Sequence, residues 1–182
     1  MLIQSREYTF PSGDIVTIKS PTAEDAQSLY IHRLITSQET DFMASYPEEL
    51  NSDMDSIRAS LTAMADSSGS YNVAAFIGDR IIGNLGVTRV RDSMKYRHRA
   101  YLGISIQKRY CNLGLGSIMV EIALDQAREI GYEQMELGAF ADNERAIHLY
   151  EKFGFRHYGI QPRAFKLKDG SYHDEVIMVK ML

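Results

Sequence analysis

The chain has 182 residues, 45% of them hydrophobic, and carries a formal net charge of −4 at pH 7. This length and composition suit one domain with a sizeable core, and we predict a single domain over residues 1–182. The mild acidity disfavours a nucleic-acid-binding surface and is compatible with cationic substrates such as amines. A single cysteine, Cys111, excludes an intrachain disulfide, and no Cys/His spacing indicates a metal site.

The hydropathy of the sequence gives no sign of a membrane segment. Residues 1–10 lack an apolar core of signal-peptide length. The longest apolar run, residues 73–77, is far too short to span a bilayer. We therefore expect a cytoplasmic protein with no membrane partner.

The first elements in chain order are a hairpin and two helices. Short β-prone runs at residues 6–10 and 15–19 flank a Pro-Ser-Gly-Asp turn, which predicts the hairpin. Apolar residues at helical spacing then predict helices over about 23–35 and 53–66.

The segment between these helices, residues 37–51, is irregular and acidic. It forms either a solvated connector or a loop that faces a substrate. In the second case the carboxylates of Glu39 and Asp41 would attract a cation, and Phe42 would contact its apolar body.

Three β-prone runs, residues 71–77, 81–90 and 99–106, follow with short connections and predict an antiparallel meander. The connector from 89 to 99 is rich in arginine. Taken alone it could be a nucleic-acid patch. Because the rest of the chain does not extend the patch, we interpret it as a solvated hairpin tip and expect no nucleic-acid partner.

Residues 104–119 place a strand end, a glycine turn and a helix start in direct succession. Free N–H groups and the positive end of the helix dipole make such a turn an anion site, and phosphate is the usual anion. Gly114-Leu115-Gly116 has neither the Lys-Ser/Thr pair of a Walker loop nor the third glycine of a Rossmann fingerprint. The helix should stop at Gly131, and a strand over 134–139 completes a right-handed βαβ unit.

The C-terminal part predicts a helix after Asn143 that ends at Gly154, and then a hairpin formed by 163–167 and 175–180. Together the elements predict an α/β fold of the α+β type. Its central sheet is mixed and mostly antiparallel, with helices on both faces and one parallel βαβ junction.

Four segments in fixed order carry a family resemblance: Ala100–Ile104, Tyr110–Gly116, Asn143–Phe155 and Asp169–Met178. Each is weak alone, but together they resemble the GNAT superfamily of acyl-CoA-dependent N-acetyltransferases, over roughly residue 15 to the C-terminus. The resemblance implies a GNAT-like fold, acetyl-CoA as co-substrate, no metal, and direct acetyl transfer to a primary amine in a ternary complex. Cys111 departs from the family pattern, which usually has Gln or Arg three residues before the first glycine.

The resemblance also implies a cofactor site. The strand end at 104–106 would hydrogen-bond the pantetheine arm and supply a backbone N–H to the tetrahedral oxyanion. The glycine turn would hold the pyrophosphate. The expected cofactor-binding residues are Ile104, Ser105, Ile106, Asn112, Leu113, Gly114, Leu115, Gly116, Ser117, Asn143 and Tyr150.

Tyr150 resembles the tyrosine that many members of the superfamily place beside the CoA sulfur. We predict that it is the general acid that protonates the leaving thiolate, against the alternative of a packing residue on its helix. The general base stays open. Glu136 is the candidate on the strand that borders the site, Glu39 and Asp41 are candidates on the loop, and a bound water could serve instead. Cys111 fits a small packing residue better than a nucleophile, because a thiolate would repel phosphate.

The acceptor is expected to be a small cationic amine or the N-terminus of a peptide or protein. Two alternatives differ in class: a non-catalytic acyl-CoA-binding regulatory module on the same fold, and a nucleic-acid-binding domain that uses the basic connector. The resemblance further implies that the C-terminal strands can mediate a homodimer.

Overall fold

An eight-stranded sheet is the centre of the computed structural model, which describes residues 1–182. The strands are β1 (Arg6–Thr9), β2 (Ile15–Lys19), β3 (Tyr71–Ile77), β4 (Arg80–Arg89), β5 (Arg99–Ile106), β6 (Gln134–Phe140), β7 (Arg156–Lys166) and β8 (Tyr172–Met181). Their order in the sheet is β1-β2-β3-β4-β5-β6-β8-β7. Only β5 and β6 pair in parallel, so the predicted mixed, mostly antiparallel sheet is confirmed.

Four α-helices cover both faces of this sheet, which also confirms the predicted layers. They are α1 (Ala26–Glu39), α2 (Met54–Asp66), α3 (Leu115–Ile130) and α4 (Glu144–Lys152). Leu29 of α1 and Leu61 of α2 pack with Phe76 on one face, and the larger core forms against α3 on the other. Each large apolar side chain that leaves water in this way contributes about 1.5–3 kcal/mol to folding. None of the helices combines the length and hydropathy needed to cross a bilayer.

The first helix is longer than predicted. A 3-10 turn at Ala23–Asp25 leads into α1, which continues to Glu39 instead of ending near residue 35. No Gly or Pro interrupts residues 26–46, and the helix ends only where Thr40 adopts an extended conformation. Glu39 is therefore the last residue of a helix and not part of the irregular segment.

The parallel junction opens into a gap. The strands β5 and β6 pair over only three positions, the last of which is Tyr101 with Glu136. Beyond it, β5 stays paired to β4 as far as Ile106, and β6 stays paired to β8 as far as Phe140. We call the space between residues 102–106 of β5 and 137–140 of β6 the interstrand gap.

Candidate functional site

Hydrogen bonding along β5 decides which of its backbone groups face the interstrand gap. The N–H of Gln107 donates to Ile82 O at 3.0 Å, and the β4–β5 register has no bulge. Alternate residues of an antiparallel strand bond to a given neighbour, so Ser105 also bonds to β4. The N–H and C=O groups of Ile104 and Ile106 point the other way, into the gap. Two of the three predicted strand-end residues therefore offer backbone groups to a ligand.

Ser105, the third of them, has a different role. Its backbone N–H and C=O are hydrogen-bonded to β4. Its side-chain Oγ lies 2.8 Å from Nε2 of His32 on α1. His32 is fully buried, and burial, followed by the nearby Arg33 charge, lowers its pKa to about 4. The neutral imidazole and the hydroxyl join α1 to β5 beneath the gap. The role predicted for Ser105 in cofactor binding stays a prediction, and its hydroxyl is already bonded to His32.

The turn before α3 presents six successive backbone N–H groups, from Asn112 to Ser117, that have no acceptor within the chain. The first hydrogen bond of the helix is donated by Ile118 to Gly114 O at 3.2 Å. Asn112 and Gly114 both have positive φ, 62° and 84°, and these turns direct successive amides to one side. The predicted anion cradle is thus formed by the backbone, at the positive end of a 16-residue helix.

Gly116 serves close packing. A Cβ at this position would lie 3.1 Å from Leu149 Cδ2 and 3.3 Å from Ile106 Cδ1. The start of α3 is therefore seated directly between the end of β5 and α4, and any side chain would push the N–H cradle away from the gap.

Side chains support the cradle at both ends. Lys152 Nζ donates to Ser117 Oγ at 3.1 Å, which brings a positive charge to the start of α3. Tyr8 donates to Leu113 O at 3.2 Å. Glu39, predicted to face the substrate, instead accepts a 2.7 Å hydrogen bond from the N–H of Lys108, at the beginning of the turn. Glu39 thus anchors the cradle.

Cys111 fits the packing role predicted for it. Its Sγ lies 3.8 Å from Ile106 O and 3.7 Å from Gln107 O. Burial raises the pKa of the thiol, although the nearby Arg145 charge acts in the opposite direction. A protonated thiol donates weakly to the carbonyls at the strand end and adds no negative charge to the phosphate site.

Two predicted residues of α4 lie beside the gap. Asn143 caps the helix by accepting from the N–H of Ala146 at 3.3 Å, which leaves its NH₂ group free. Tyr150 is only 5% exposed and packs edge-on against Phe155. Its hydroxyl makes no hydrogen bond within the chain and is not sealed from solvent. Burial, followed by the nearby Tyr101, raises its pKa to about 12, so the phenol is protonated at neutral pH.

Glu136 was the strand residue proposed for the base side. Its two oxygens accept from Arg99 Nε at 2.5 Å and Nη2 at 2.8 Å, and Gln134 also donates to it. It pairs with Tyr101 in the closed part of the β5–β6 ladder. The carboxylate is committed to an ion pair that closes the parallel junction, so we correct its assignment as the base.

The face of the sheet opposite α3 carries an aromatic cluster, which we define as Phe42, Phe140, Phe165 and His173. Phe140 stacks on Phe165 with ring centroids 3.8 Å apart, and Phe42 and His173 approach it at 5.4 and 5.8 Å. Phe42 thus packs against Phe140 at the end of β6, and its contact with a substrate stays a prediction. Asp41, its neighbour, is exposed.

The α1–α2 loop is held over this cluster by the β7–β8 hairpin. The N–H of Lys168 donates to Tyr46 Oη at 2.9 Å, and its ammonium pairs with Glu48 and lies 4.1 Å above the Tyr46 ring. The loop is therefore not the freely solvated connector of the alternative interpretation.

Three residues at the gap escaped the sequence analysis: Tyr101, Gly138 and Glu175. A Cβ at Gly138 would meet Glu175 Oε1 and Tyr101 Oη, so all three converge at the point where β6 leaves β5. The one available signal was Glu175 itself, a carboxylate that opens the otherwise apolar run Val176–Val179.

The arginine-rich connector is largely occupied by its own contacts. Arg89 pairs with Asp92 at 3.2 Å, and Arg99 pairs with Glu136. Arg91 and Arg99 also lie over the ring of Tyr96, at 5.1 and 5.3 Å. These contacts agree with a hairpin tip that satisfies its own charges.

Comparison with known proteins agrees with this geometry. Residues 31–155 match the sequence profile of the Acetyltransferase (GNAT) family. The chain is 28% identical over 119 residues to the L-amino acid N-acetyltransferase AaaT of Escherichia coli, which covers 65% of this chain and 72% of that protein.

Solved structures give the same result. The chain superposes on an acetyltransferase of the GNAT family from Streptococcus pneumoniae with a TM-score of 0.87 and 30% identity, over 92% of this chain and 99% of that one. It shares its fold with yncA of Salmonella typhimurium, solved with its cofactor acetyl-CoA, at a TM-score of 0.79 and 19% identity, over 92% and 94% of the two chains. Because the family profile spans more than half of the sequence, the chain belongs to the acetyltransferase (GNAT) family and is an N-acetyltransferase.

Proposed function

We propose that this enzyme transfers the acetyl group of acetyl-CoA to a primary amine by direct attack in a ternary complex. The observation that carries the proposal is that two sets of backbone groups without hydrogen-bond partners in the chain lie next to each other. The gap-facing groups of Ile104 and Ile106 lead directly into the six free N–H groups of residues 112–117. One surface suits a linear amide chain and the other a pyrophosphate, in the order in which coenzyme A carries them. The fold shared with yncA, which was solved with acetyl-CoA, supports the same ligand.

In this proposal the cofactor is held mainly by the backbone. The cradle from Asn112 to Ser117 binds the pyrophosphate, and the Lys152 ammonium beside Ser117 adds a positive charge. The pantetheine arm bonds to Ile104 and Ile106 on one side of the gap, and the free NH₂ of Asn143 is available on the other. The thioester then lies in the gap beside Tyr150.

The chemistry requires one bond to form and one to break. The amine nitrogen attacks the thioester carbonyl carbon, and a gap-facing N–H of β5 stabilises the oxyanion. Collapse of the tetrahedral intermediate breaks the C–S bond, and Tyr150 donates its proton to the departing sulfur. A phenol with a pKa of about 12 is a weak acid for this step. The proton that the amine loses in the same reaction restores the phenol, so the phenolate does not accumulate.

The acceptor is proposed to be a small amine or a peptide N-terminus, with an α-amino group as the preferred chemistry. AaaT, a relative at 28% identity, is described as acting on L-amino acids. The aromatic cluster at the gap provides an apolar surface for the body of such a substrate.

A thiol-release assay tests the proposal. Purified enzyme and acetyl-CoA are incubated with L-amino acids, L-phenylalaninamide, spermidine and short peptides with free N-termini, and free CoA is measured. We expect release that depends on at least one amine, with the acetylated amine found by mass spectrometry. Tight acetyl-CoA binding by calorimetry without release from any acceptor would contradict transfer and favour a non-catalytic acyl-CoA-binding module.

The homodimer expected from the resemblance stays a prediction. The edge strand β7 exposes 77% of Tyr158 and 63% of Ile160, and Met181 of the adjacent β8 is also exposed. These side chains give the C-terminal strands an apolar outer surface that a second copy could cover.

A further inference from the structure

Glu175 occupies an unusual position for a carboxylate. It lies on β8 opposite Phe140 of β6. Two later residues of the strand, Val176 and Met178, point into the core beneath α3. Glu175 itself therefore projects from the opposite face, the one covered by α1 and the aromatic cluster, at the mouth of the interstrand gap.

The surroundings of Gly138 show that the Glu175 carboxylate lies close to the Tyr101 hydroxyl. A Cβ at Gly138 would lie 2.0 Å from Glu175 Oε1 and 3.0 Å from Tyr101 Oη. Since both distances are measured from one point, the two oxygens are no more than about 5 Å apart. Gly138 follows the last β5–β6 pair by two residues, on the same face. A side chain at this position would displace the carboxylate from the point where the sheet opens.

Glu175 is free, unlike the other carboxylates of β6, β8 and the turn after β6. Glu136 is paired with Arg99, Asp142 with His173, and Asp174 with the N–H of Arg163. The Glu175 side chain is partly exposed and has no hydrogen-bond or ion-pair partner in the chain. A partly buried carboxylate without a partner is available to an incoming ammonium group.

We propose that Glu175 is the general base of the reaction. This inference rests on the proposed function, which leaves the base unassigned. The acceptor enters as an ammonium ion from the α1 side of the sheet, and one oxygen of Glu175 takes an N–H proton. The nitrogen lone pair that this frees forms the C–N bond to the thioester carbonyl in the gap. The tetrahedral intermediate then collapses: the C–S bond breaks, and its electron pair takes the proton of Tyr150 on the other side of the sheet. The new amide nitrogen loses its second proton, which restores the Tyr150 phenol, and Glu175 releases the first proton to water.

Tyr101 is the natural partner of this base. Burial, followed by the Glu175 charge, raises the pKa of its hydroxyl, so Tyr101 stays protonated and can hold the amine beside the carboxylate. Burial and then the nearby Tyr101 raise the pKa of Tyr150. Tyr101 and Glu175 lie on the α1 face of the sheet and Tyr150 packs in the core on the α3 face, so in the proposed arrangement base and acid act from opposite faces.

Several charged or titratable groups lie near Glu175. Tyr101 on β5 and Tyr150 on α4 remain neutral, and Glu136 on β6 is paired with Arg99. His173, two residues before Glu175 on β8, is bonded to Asp142 at 2.8 Å, and the exposed Asp41 lies on the α1–α2 loop. The test must therefore separate Glu175 from His173.

The experiment measures kcat/KM against pH with acetyl-CoA and L-phenylalaninamide, or with the best acceptor of the panel if that amine is poor. We expect Glu175→Gln to lower kcat/KM for the amine by ~10²-fold or more, as the loss of a general base does, and to remove the acidic limb of the profile. Glu175→Asp should recover part of the rate. The calorimetric Kd for acetyl-CoA should stay within about two-fold of the parent enzyme, because the cradle is unaltered.

Two controls make the result decisive. Glu136→Gln makes the same carboxylate-to-amide change on the same face and should keep the acidic limb, as should His173→Gln. If Glu175→Gln keeps both its rate and its acidic limb, Glu175 is not the base, even though the enzyme works. If the limb vanishes in either control instead, that residue carries the titration and the inference is wrong. A parent enzyme that turns over no amine contradicts the proposed function and with it this role.

Discussion

The two sides of the interstrand gap are built in different ways. The cofactor side, from Ile104 to Ser117, is one continuous segment whose ligand groups are backbone N–H and C=O. The acceptor side is assembled from the α1–α2 loop, β5, β6 and the β7–β8 hairpin, and its groups are side chains. Backbone geometry tolerates most substitutions, whereas a side-chain surface changes with each one. Backbone groups therefore suit the cofactor, which is constant, and side chains suit the acceptor, which can vary.

A buried histidine, which joins α1 to the cofactor side at Ser105, makes the fold sensitive to acid. The folded pKa of His32 is about 4, below the ordinary 6.5. Its neutral form is favoured in the fold, so the full contribution is present above pH 6.5 and is lost as the pH falls towards 4, where the unfolded chain binds the proton first. The loss approaches about 3 kcal/mol.

Urea unfolding at pH 7 and pH 4.5 measures this effect. His32→Gln should be less stable than the parent at pH 7 and should show a smaller fall in unfolding free energy between the two pH values. The exposed His148→Gln is the matched control and should follow the parent curve. Equal pH dependence in parent and His32→Gln would contradict the role of the buried imidazole.

Tyr150 tests whether the two sides share one reacting centre. Tyr150→Phe should lower kcat by ~10²-fold or more, the low end of general-acid effects, with the Kd for acetyl-CoA nearly unchanged. Tyr71→Phe is the control. Its hydroxyl bonds to Ala123 O at 2.6 Å inside the core, away from the gap, so its loss should reduce stability and leave kcat intact. Unchanged turnover in Tyr150→Phe would leave Tyr150 as a packing residue.

Gly114 tests the dependence of the cofactor side on backbone conformation. Its φ of 84° is strained for any residue with a side chain, at a cost of about 1–2 kcal/mol. Gly114→Ala should therefore weaken acetyl-CoA binding by roughly ten-fold, because relief of that strain reorients the N–H cradle. Gly13→Ala has the same conformational penalty, with a φ of 92°, in the distant β1–β2 turn. It should cost stability alone, and equal loss of acetyl-CoA affinity in both variants would show that the cradle geometry is not the cause.

This division also explains what could be predicted from the sequence. The meander, the βαβ unit and the free N–H groups depend on local signals such as the Gly114 turn and the Gly131 stop, and they were predicted. The interstrand gap was not predicted. It forms because the β5–β6 ladder ends after three residue pairs. The local sequence of neither strand indicates where the two strands separate.

The acceptor side was the harder part for the same reason. Glu39 and Glu136 were sensible candidates by sequence position, but the first bonds to the N–H of Lys108 and the second to Arg99. Whether a carboxylate is paired depends on groups that are distant in the sequence and close in the fold. Glu175 could be identified only when Gly138 and Tyr101 were seen beside it.

Lys168 provides the mildest test, because it acts on the acceptor side from a distance. Its ammonium pairs with Glu48 and covers the Tyr46 ring, and so holds the α1–α2 loop, with Phe42, over the gap. An exposed ion pair of this kind contributes little, because solvent screens it. Lys168→Met should therefore raise KM for the amine by about two- to five-fold and leave KM for acetyl-CoA unchanged.

The control for this change is Lys95→Met, which removes an exposed lysine at the far end of the sheet and should alter neither constant. If Lys168→Met raised both KM values equally, the loop would serve the cofactor as well as the acceptor, and the separation of the two sides would fail. A rise confined to the amine would show that a surface contact remote from the thioester tunes acceptor binding alone. That result would place the control of specificity in the packing of the loop against the hairpin, where substitutions do not disturb the cradle.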